Sequence, residues 1–202
     1  MIHMTDIKKI TQSLEGEIID LRRTLHQNPE FAFEELKTGE IIKSFLKKHG
    51  IMYKDKIAKT GILAEINTKR YGKTILVRAD MDALKISEKN DIEYKSQNEG
   101  MMHACGHDFH IAIALFCAAV IKRLENDISG CVRFMFQPAE EETGGALDMI
   151  NEGVLKNVDM AVGLHVDPET ETGKIRLKDG EFFASPDFFN AEIIGKGSHG
   201  AQ

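Results

Sequence analysis

The sequence predicts an α/β protein, and three observations carry that reading. Short apolar runs of strand length alternate with helical patterns up to about residue 166. The helical patterns place apolar side chains at steps of three and four. Ionisable residues stand where the apolar runs end, which is where open α/β sheets put their ligand sites.

Taken in order, Ile7, Ile10, Leu14, Ile18, Leu21 and Leu25 form the apolar stripe of a first helix over residues 6–27. It stops at Asn28-Pro29, because the residue before a proline is pushed out of helical angles. A second helix is predicted from Glu34 to His49, with Leu36, Ile41, Ile42, Phe45 and Leu46 inward and Gly50 as its C-terminal cap. The runs ILAEIN (62–67) and TILVRA (74–79) read as strands around a polar turn. The second strand ends in Asp80-Met81-Asp82. Residues 86–100 are polar and loop-like. The stretch MMHACGHDFH (101–110) then leads into an apolar, Ala-rich helix that runs to about Glu125. CVRFMFQ (131–137) is a strand that runs into PAEEETGG, followed by a short helix that ends at Gly153. DMAVGLHV (159–166) is a further strand, with His165 near its C-terminal end. GKIRLK (173–178) and DFFNAEIIG (187–195) read as strands with no long helix between them, so the tail looks like the start of a second domain.

Composition narrows the function. The 202 residues are 42% hydrophobic and 29% charged, as in an ordinary globular protein with a sizeable core. A formal charge of −6 and the absence of a basic patch argue against non-specific nucleic-acid binding. No apolar run reaches the roughly 18 residues that a membrane span needs, and the first residues lack a secretion signal. Cys105, Cys117 and Cys131 lack paired spacing, so a reducing cytoplasm is expected rather than a disulfide framework. Cys117 lies within an apolar helix and Cys131 opens an apolar strand, so both read as inert core residues. Only Cys105 has polar company.

Four places carry chemistry: Asp80/Asp82, Cys105/His107, Glu140/Glu141 and His165. Each stands at a strand end or a helix start, so an α/β sheet brings them to one crevice. Thiol, imidazole and carboxylate together suit zinc or a similar late first-row ion better than magnesium or calcium. Adjacent glutamates cannot easily point at one ion, so one can bind metal while the other faces the bound water. Such a water has its pKa lowered to about 7, and a neighbouring carboxylate can take its proton. Each group taken singly has an ordinary alternative. A Glu pair suits a solvated helix start, a lone His a packed core, Asp80 and Asp82 a cap, and Cys105 a packing role. The metal reading rests on their coincidence. His3, His26 and His49 read as surface or local structural groups. No HExxH or GxSxG is present. The GxGxxG match at Gly195–Gly200 lacks the following helix and acid of a dinucleotide site.

With these residues identified, the chain resembles the hippurate-hydrolase and auxin-conjugate-hydrolase branch of the aminoacylase/carboxypeptidase (M20) metallopeptidases. The segments that carry the resemblance are LRRTLHQNPEFAFEE (21–35), VRADMDALKI (77–86), MHACGHDFHIA (102–112), FQPAEEETGGA (136–146), VGLHV (162–166) and GKGSHGA (195–201). The resemblance implies a three-layer α/β/α zinc-peptidase-like catalytic domain, incomplete here, over residues 1–182. Residues 183–202 would then hold the first strand of an α+β lid or dimerisation domain. It implies a two-metal amidohydrolase that releases an amino acid and a carboxylate from N-acyl-L-amino acids, with zinc, manganese, nickel or cobalt as the ions. Cys105, His107, Glu141 and His165 match metal ligands, and Glu140 matches the general base. Asp82 matches the acidic residue that orients a ligand from behind. His199 matches a lid histidine that contacts substrate or the developing oxyanion, often in the partner's site of a homodimer or homotetramer. Lys85 departs from the family, which has proline there. Family chains run well beyond this length and supply a further histidine ligand, so an N-terminal fragment is expected. The alternatives are a dipeptidase or N-acetyl-diaminopimelate deacetylase of the same family, or an inactive remnant that binds metal or a partner.

Overall fold

The computed structural model describes residues 4–142, 144–184, 189–197 and 199–201. Its regular elements are α1 (Met4–Gln27), α2 (Leu36–Lys48), β1 (Met52–Ile57), β2 (Gly61–Asn67), β3 (Thr74–Asp80), α3 (His107–Arg123), β4 (Cys131–Gln137), α4 (Gly145–Asn151) and β5 (Met160–Gly163). The strands form one mixed sheet in the order β1-β2-β4-β3-β5. The β1/β2 and β2/β4 pairs are antiparallel, while β3 runs parallel to both β4 and β5.

Alternation along the strands separates two cores. Phe134 and Phe136 of β4 point to one face, where Leu14 and Leu25 of α1, Ile42 and Leu46 of α2, and Ile111 and Leu115 of α3 cover them. Met135 of β4 and Leu76 of β3 point to the other face, against Met149 of α4 and Val154. Helices on both faces of the sheet give the three-layer α/β/α arrangement. α3 is apolar nearly all round because α1, α2 and the sheet all pack on it, and Ala112, Ala114, Ala118 and Ala119 let them come close.

The described chain divides into two units, Met1–Val166 and Asp167–Gln202. β1, MYKDKI, was not anticipated. Its side chains are mostly exposed, so it lacks the apolar alternation that marks a half-buried strand. β5 ends at Gly163, which leaves His165 on the following loop. Residues 173–178 form no strand, and neither do 189–195 (187 and 188 lie outside the described residues). Ile175, Leu177, Ile193 and Ile194 are more than four-fifths exposed, and without a pairing partner an apolar run is not a strand.

Candidate metal centre

β3, β4 and β5 are parallel, so their C-terminal ends lie along one edge of the sheet. β3 delivers Asp80 and Asp82 there, β4 delivers Glu140 and Glu141, and β5 delivers His165. The first turn of α3 reaches the same edge with Cys105 and His107. Gly106 between them has φ +82°, in the left-handed region, and a Cβ there would lie 2.4 Å from Val166 Cγ2. The Cys-Gly-His turn therefore needs glycine both for its backbone and for the loop pressed against it.

His107 is 1% exposed. Its Nδ1–H donates to the Asp82 carbonyl at 2.9 Å and lies 3.2 Å from Asp82 Oδ1. Its Nε2 faces Asp80 Oδ1 at 3.6 Å, Glu141 Oε1 at 3.7 Å and Glu140 Oε2 at 4.0 Å. His107 Nε2 and Glu141 Oε1 are both buried and have no hydrogen-bond partner among the described residues. His165 Nδ1–H donates to the Val166 carbonyl at 2.7 Å, and its Nε2 lies 3.4 Å from Cys105 Sγ. Both imidazoles thus carry the proton on Nδ1 toward a backbone carbonyl and turn Nε2 into the crevice, the orientation that a metal-binding histidine takes.

Among the described residues, three groups have ligand atoms within 4.8 Å of one another: Cys105/His107/His165, His107/Glu140/Glu141 and Asp80/His107/His110. In the third, both His110 nitrogens are already engaged, with Asp80 at 2.5 Å and the Val166 amide at 3.0 Å. The other two groups share His107. A buried imidazole nitrogen and a carboxylate oxygen that lack hydrogen bonds among the described residues, beside a thiol and a second imidazole, fit a divalent transition ion.

The electrostatics agree with a cation site. Burial works against a charged His107. The Asp82 hydrogen bond, Cys105 and the Asp80 and Asp82 charges outweigh it and hold its pKa up to about 11. Metal bound at this nitrogen must displace that proton. Glu140 is pushed above its ordinary value, first by burial and then by the negative charges of Asp80 and Glu141. Asp80 is held low because His110, His107 and Arg78 outweigh its burial.

Two supports could not be read from the sequence. Glu35, fully buried, accepts the Ala139 amide at 3.0 Å and the Thr60 hydroxyl at 2.5 Å. It thereby fixes the turn just before Glu140, where Ala139 has φ +50°. Asp82 Oδ2 accepts the Glu141 amide at 3.0 Å, which ties the same turn to β3. His26, expected at the surface or in a local role, is 4% exposed. It bridges Asp108 at 2.7 Å and Glu88 at 3.0 Å. The groups brought together in the first unit are Asp82, Cys105, His107, Glu140, Glu141 and His165. His199 belongs to the second unit, where it is exposed and accepts the Ala201 amide at 3.3 Å. Among the described residues no helix is long and apolar enough to cross a membrane.

The model of "Peptidase family M20/M25/M40" matches residues 76–197. The chain belongs to this family. Its M20 relatives include an N-acetyl-L-cysteine deacetylase of Bacillus subtilis, 44% identical over 94% of this chain and 45% of its own length. An N-acyl-L-amino acid amidohydrolase of Geobacillus stearothermophilus is 42% identical over 98% of this chain and 54% of its own. An Arabidopsis thaliana IAA-amino acid hydrolase is 40% identical over 91% of this chain and 42% of its own. The crystal structure of the Bacillus subtilis YXEP protein, described as a dinuclear metal binding peptidase of the M20 family, superposes with a TM-score of 0.75. It is 39% identical over 78% of this chain and 45% of that one. The chain spans about half the length of the curated relatives it matches.

Proposed function

We propose that the protein of which this chain forms the metal-site portion is a metal-dependent amidohydrolase acting on N-acyl-L-amino acids. The observation that carries the reading is the pair of buried atoms that lack a hydrogen bond among the described residues, His107 Nε2 and Glu141 Oε1, next to Glu140 and the Cys105/His165 pair. The relatives' names supply the substrate class. Cys105, His107, Glu141 and His165 would hold divalent metal, with zinc, manganese, nickel and cobalt all compatible with that donor set. A second ion is part of the same reading, through the M20 likeness. When bound, the metal polarises the scissile carbonyl and acidifies the attacking water.

The chain's own residues do the rest. Glu140 takes a proton from the attacking water and passes it to the leaving nitrogen, and its raised pKa suits both steps. Asp82 holds His107 in the tautomer that frees Nε2. His199 is assigned to the substrate carbonyl or its oxyanion by the family resemblance. Cys105 must work as a thiolate, so the reading places the enzyme in a reducing cytoplasm. Residues 1–182 as catalytic domain, 183–202 as the start of a lid, and assembly as a homodimer or homotetramer belong to the same proposal.

The test is Glu140→Gln in that whole protein, with metal content and hydrolysis of N-acetyl, N-benzoyl and dipeptide substrates measured side by side. Metal content is expected to stay near that of the unaltered protein while turnover falls roughly 10²–10⁴-fold. Loss of metal would make Glu140 a ligand instead. Metal uptake with no turnover on any substrate in the unaltered protein would overturn the hydrolase reading.

A further inference from the structure

We infer that the buried Asp80–His110 pair is the device that positions His165 in the metal centre, acting through the Val166 amide. The inference rests on the metal-centre reading and adds a role that the ligand set does not contain. His110 lies one turn beyond His107 on α3 and is 2% exposed. A carboxylate only accepts, so the His110 ring donates Nδ1–H to Asp80 Oδ1, at 2.5 Å. Arg78 Nη1, 2.7 Å from Asp80 Oδ2, steadies the same carboxylate from the other side. With its proton on Nδ1, His110 has a lone pair on Nε2, and the Val166 N–H donates to it at 3.0 Å.

The Val166 amide is the peptide link that follows His165 directly. Fixing it sets the backbone of His165 and so the direction of its ring. Two further contacts hold the same loop. The Val166 carbonyl accepts His165 Nδ1–H, and the Val166 side chain sits where Gly106 has no Cβ. The His110 and His165 rings pack edge to face with centroids 4.6 Å apart. The result is Nε2 of His165 at 3.4 Å from Cys105 Sγ, although the two residues are 60 apart in the chain and His165 lies on a loop beyond β5. The competing possibility is that His110 is itself a ligand, as the Asp80/His107/His110 cluster would allow. The occupied nitrogens argue against it. His110 is a positioning residue that acts on His165 through the Val166 amide.

The test uses this chain with Co²⁺ as the probe, in the unaltered protein and in His110→Gln and His110→Phe. Gln offers Val166 a carbonyl acceptor and Asp80 an N–H donor, so it restores both links. Phe restores neither. In the unaltered protein the Val166 amide is expected to be protected from hydrogen exchange, without any metal added. Co²⁺ affinity is expected to fall roughly 10- to 100-fold in His110→Phe and to stay close to the unaltered value in His110→Gln. The thiolate-to-cobalt absorption band from Cys105 should persist at saturation in both. An unprotected Val166 amide would overturn the inference without recourse to any variant. So would unchanged Co²⁺ affinity in a folded His110→Phe protein. A ligand-field spectrum showing one ligand fewer in both variants would make His110 a ligand and overturn it too. If the unaltered protein takes up no Co²⁺, the metal reading itself fails and this inference falls with it, whereas uptake followed by any of the other results removes the inference alone.

Discussion

At Glu35 a carboxylate with no exposed surface supports the turn that carries Glu140. Burial pushes its pKa above the ordinary 4.5, and the hydrogen bonds from Thr60 and the Ala139 amide offset only part of that. The sign follows. A raised folded-state pKa means that Glu35 favours folding most below about pH 4.5, and that this contribution is lost as pH rises through the raised value. Glu35→Gln keeps an acceptor for Ala139 and a partner for Thr60 while removing the buried charge. Its stability at neutral pH should equal or exceed that of the unaltered protein, and its advantage should shrink toward pH 4.5. Glu35→Ala leaves the Ala139 amide unpaired and should cost roughly 1–3 kcal/mol. Urea unfolding at acid and neutral pH checks both, and a Gln variant less stable at neutral pH than the unaltered protein would contradict the account. This residue also shows where reading the site from sequence stops. Cys105 and His107 are legible because two metal-binding types stand two residues apart at a helix start. Glu35 is 104 residues from Ala139, and His110 is 56 from Val166. Those pairings are made by the sheet, and no local spacing records them.

Among the elements, α1, α3 and the loop after β3 are stitched by one buried polar cluster. His26 of α1 donates to Asp108 of α3, which also forms an ion pair with Arg22 at 2.8 Å, and to Glu88 of the loop. The Asp108 hydrogen bond raises the pKa of His26 against the opposing effect of burial. Burial alone would raise Glu88, but the Ser96 amide, His26 and Asn90 bring it down to about 2. The stabilisation from His26 is therefore full below its ordinary 6.5 and is lost as pH climbs through the raised value. That from Glu88 is present above 4.5 and is lost as pH falls toward 2. His26→Gln is neutral throughout and cannot serve both carboxylates as a cation. It should lose roughly 1.5–3 kcal/mol at slightly acid pH, and the loss should narrow in alkali as the unaltered histidine deprotonates. Unfolding free energies measured at about pH 6 and about pH 9 test this, and a loss of equal size at both would show packing rather than charge. The elements differ in how far their sequences disclose them. α1, α2 and α3 follow from apolar steps of three and four. β2, β3 and β4 follow from apolar runs because they are buried on both faces. β1 is hidden by its charges. The runs at 173–178 and 189–195 mislead because strand formation needs a hydrogen-bonding neighbour that hydropathy does not supply.

At the scale of the whole sheet, the two edges are built differently. β1 carries Lys54, Asp55 and Lys56, and its register with β2 breaks between Lys54 and Ile57. Charge and a register break are the usual protections of an exposed edge against pairing with another chain. β5, at the opposite edge, has neither. Among the described residues it pairs with β3 alone. Its sequence MAVG has no charge, Met160 and Val162 are more than half exposed, and Leu164 continues the apolar row. Ile75 of β3, paired with Met160, is also partly exposed. An uncharged apolar edge is a template for a further strand, so this chain should associate with itself as its concentration rises, through β5 rather than β1. Val162→Lys places a charge in the middle of that edge at an exposed position, where it should change unfolding free energy by no more than about 0.5 kcal/mol. Sedimentation velocity over a concentration series should show the unaltered chain shifting to larger species and the Val162→Lys chain staying monomeric. Equal association in both would move the contact away from β5. A strictly monomeric unaltered chain would mean that the edge is protected by something other than charge or register.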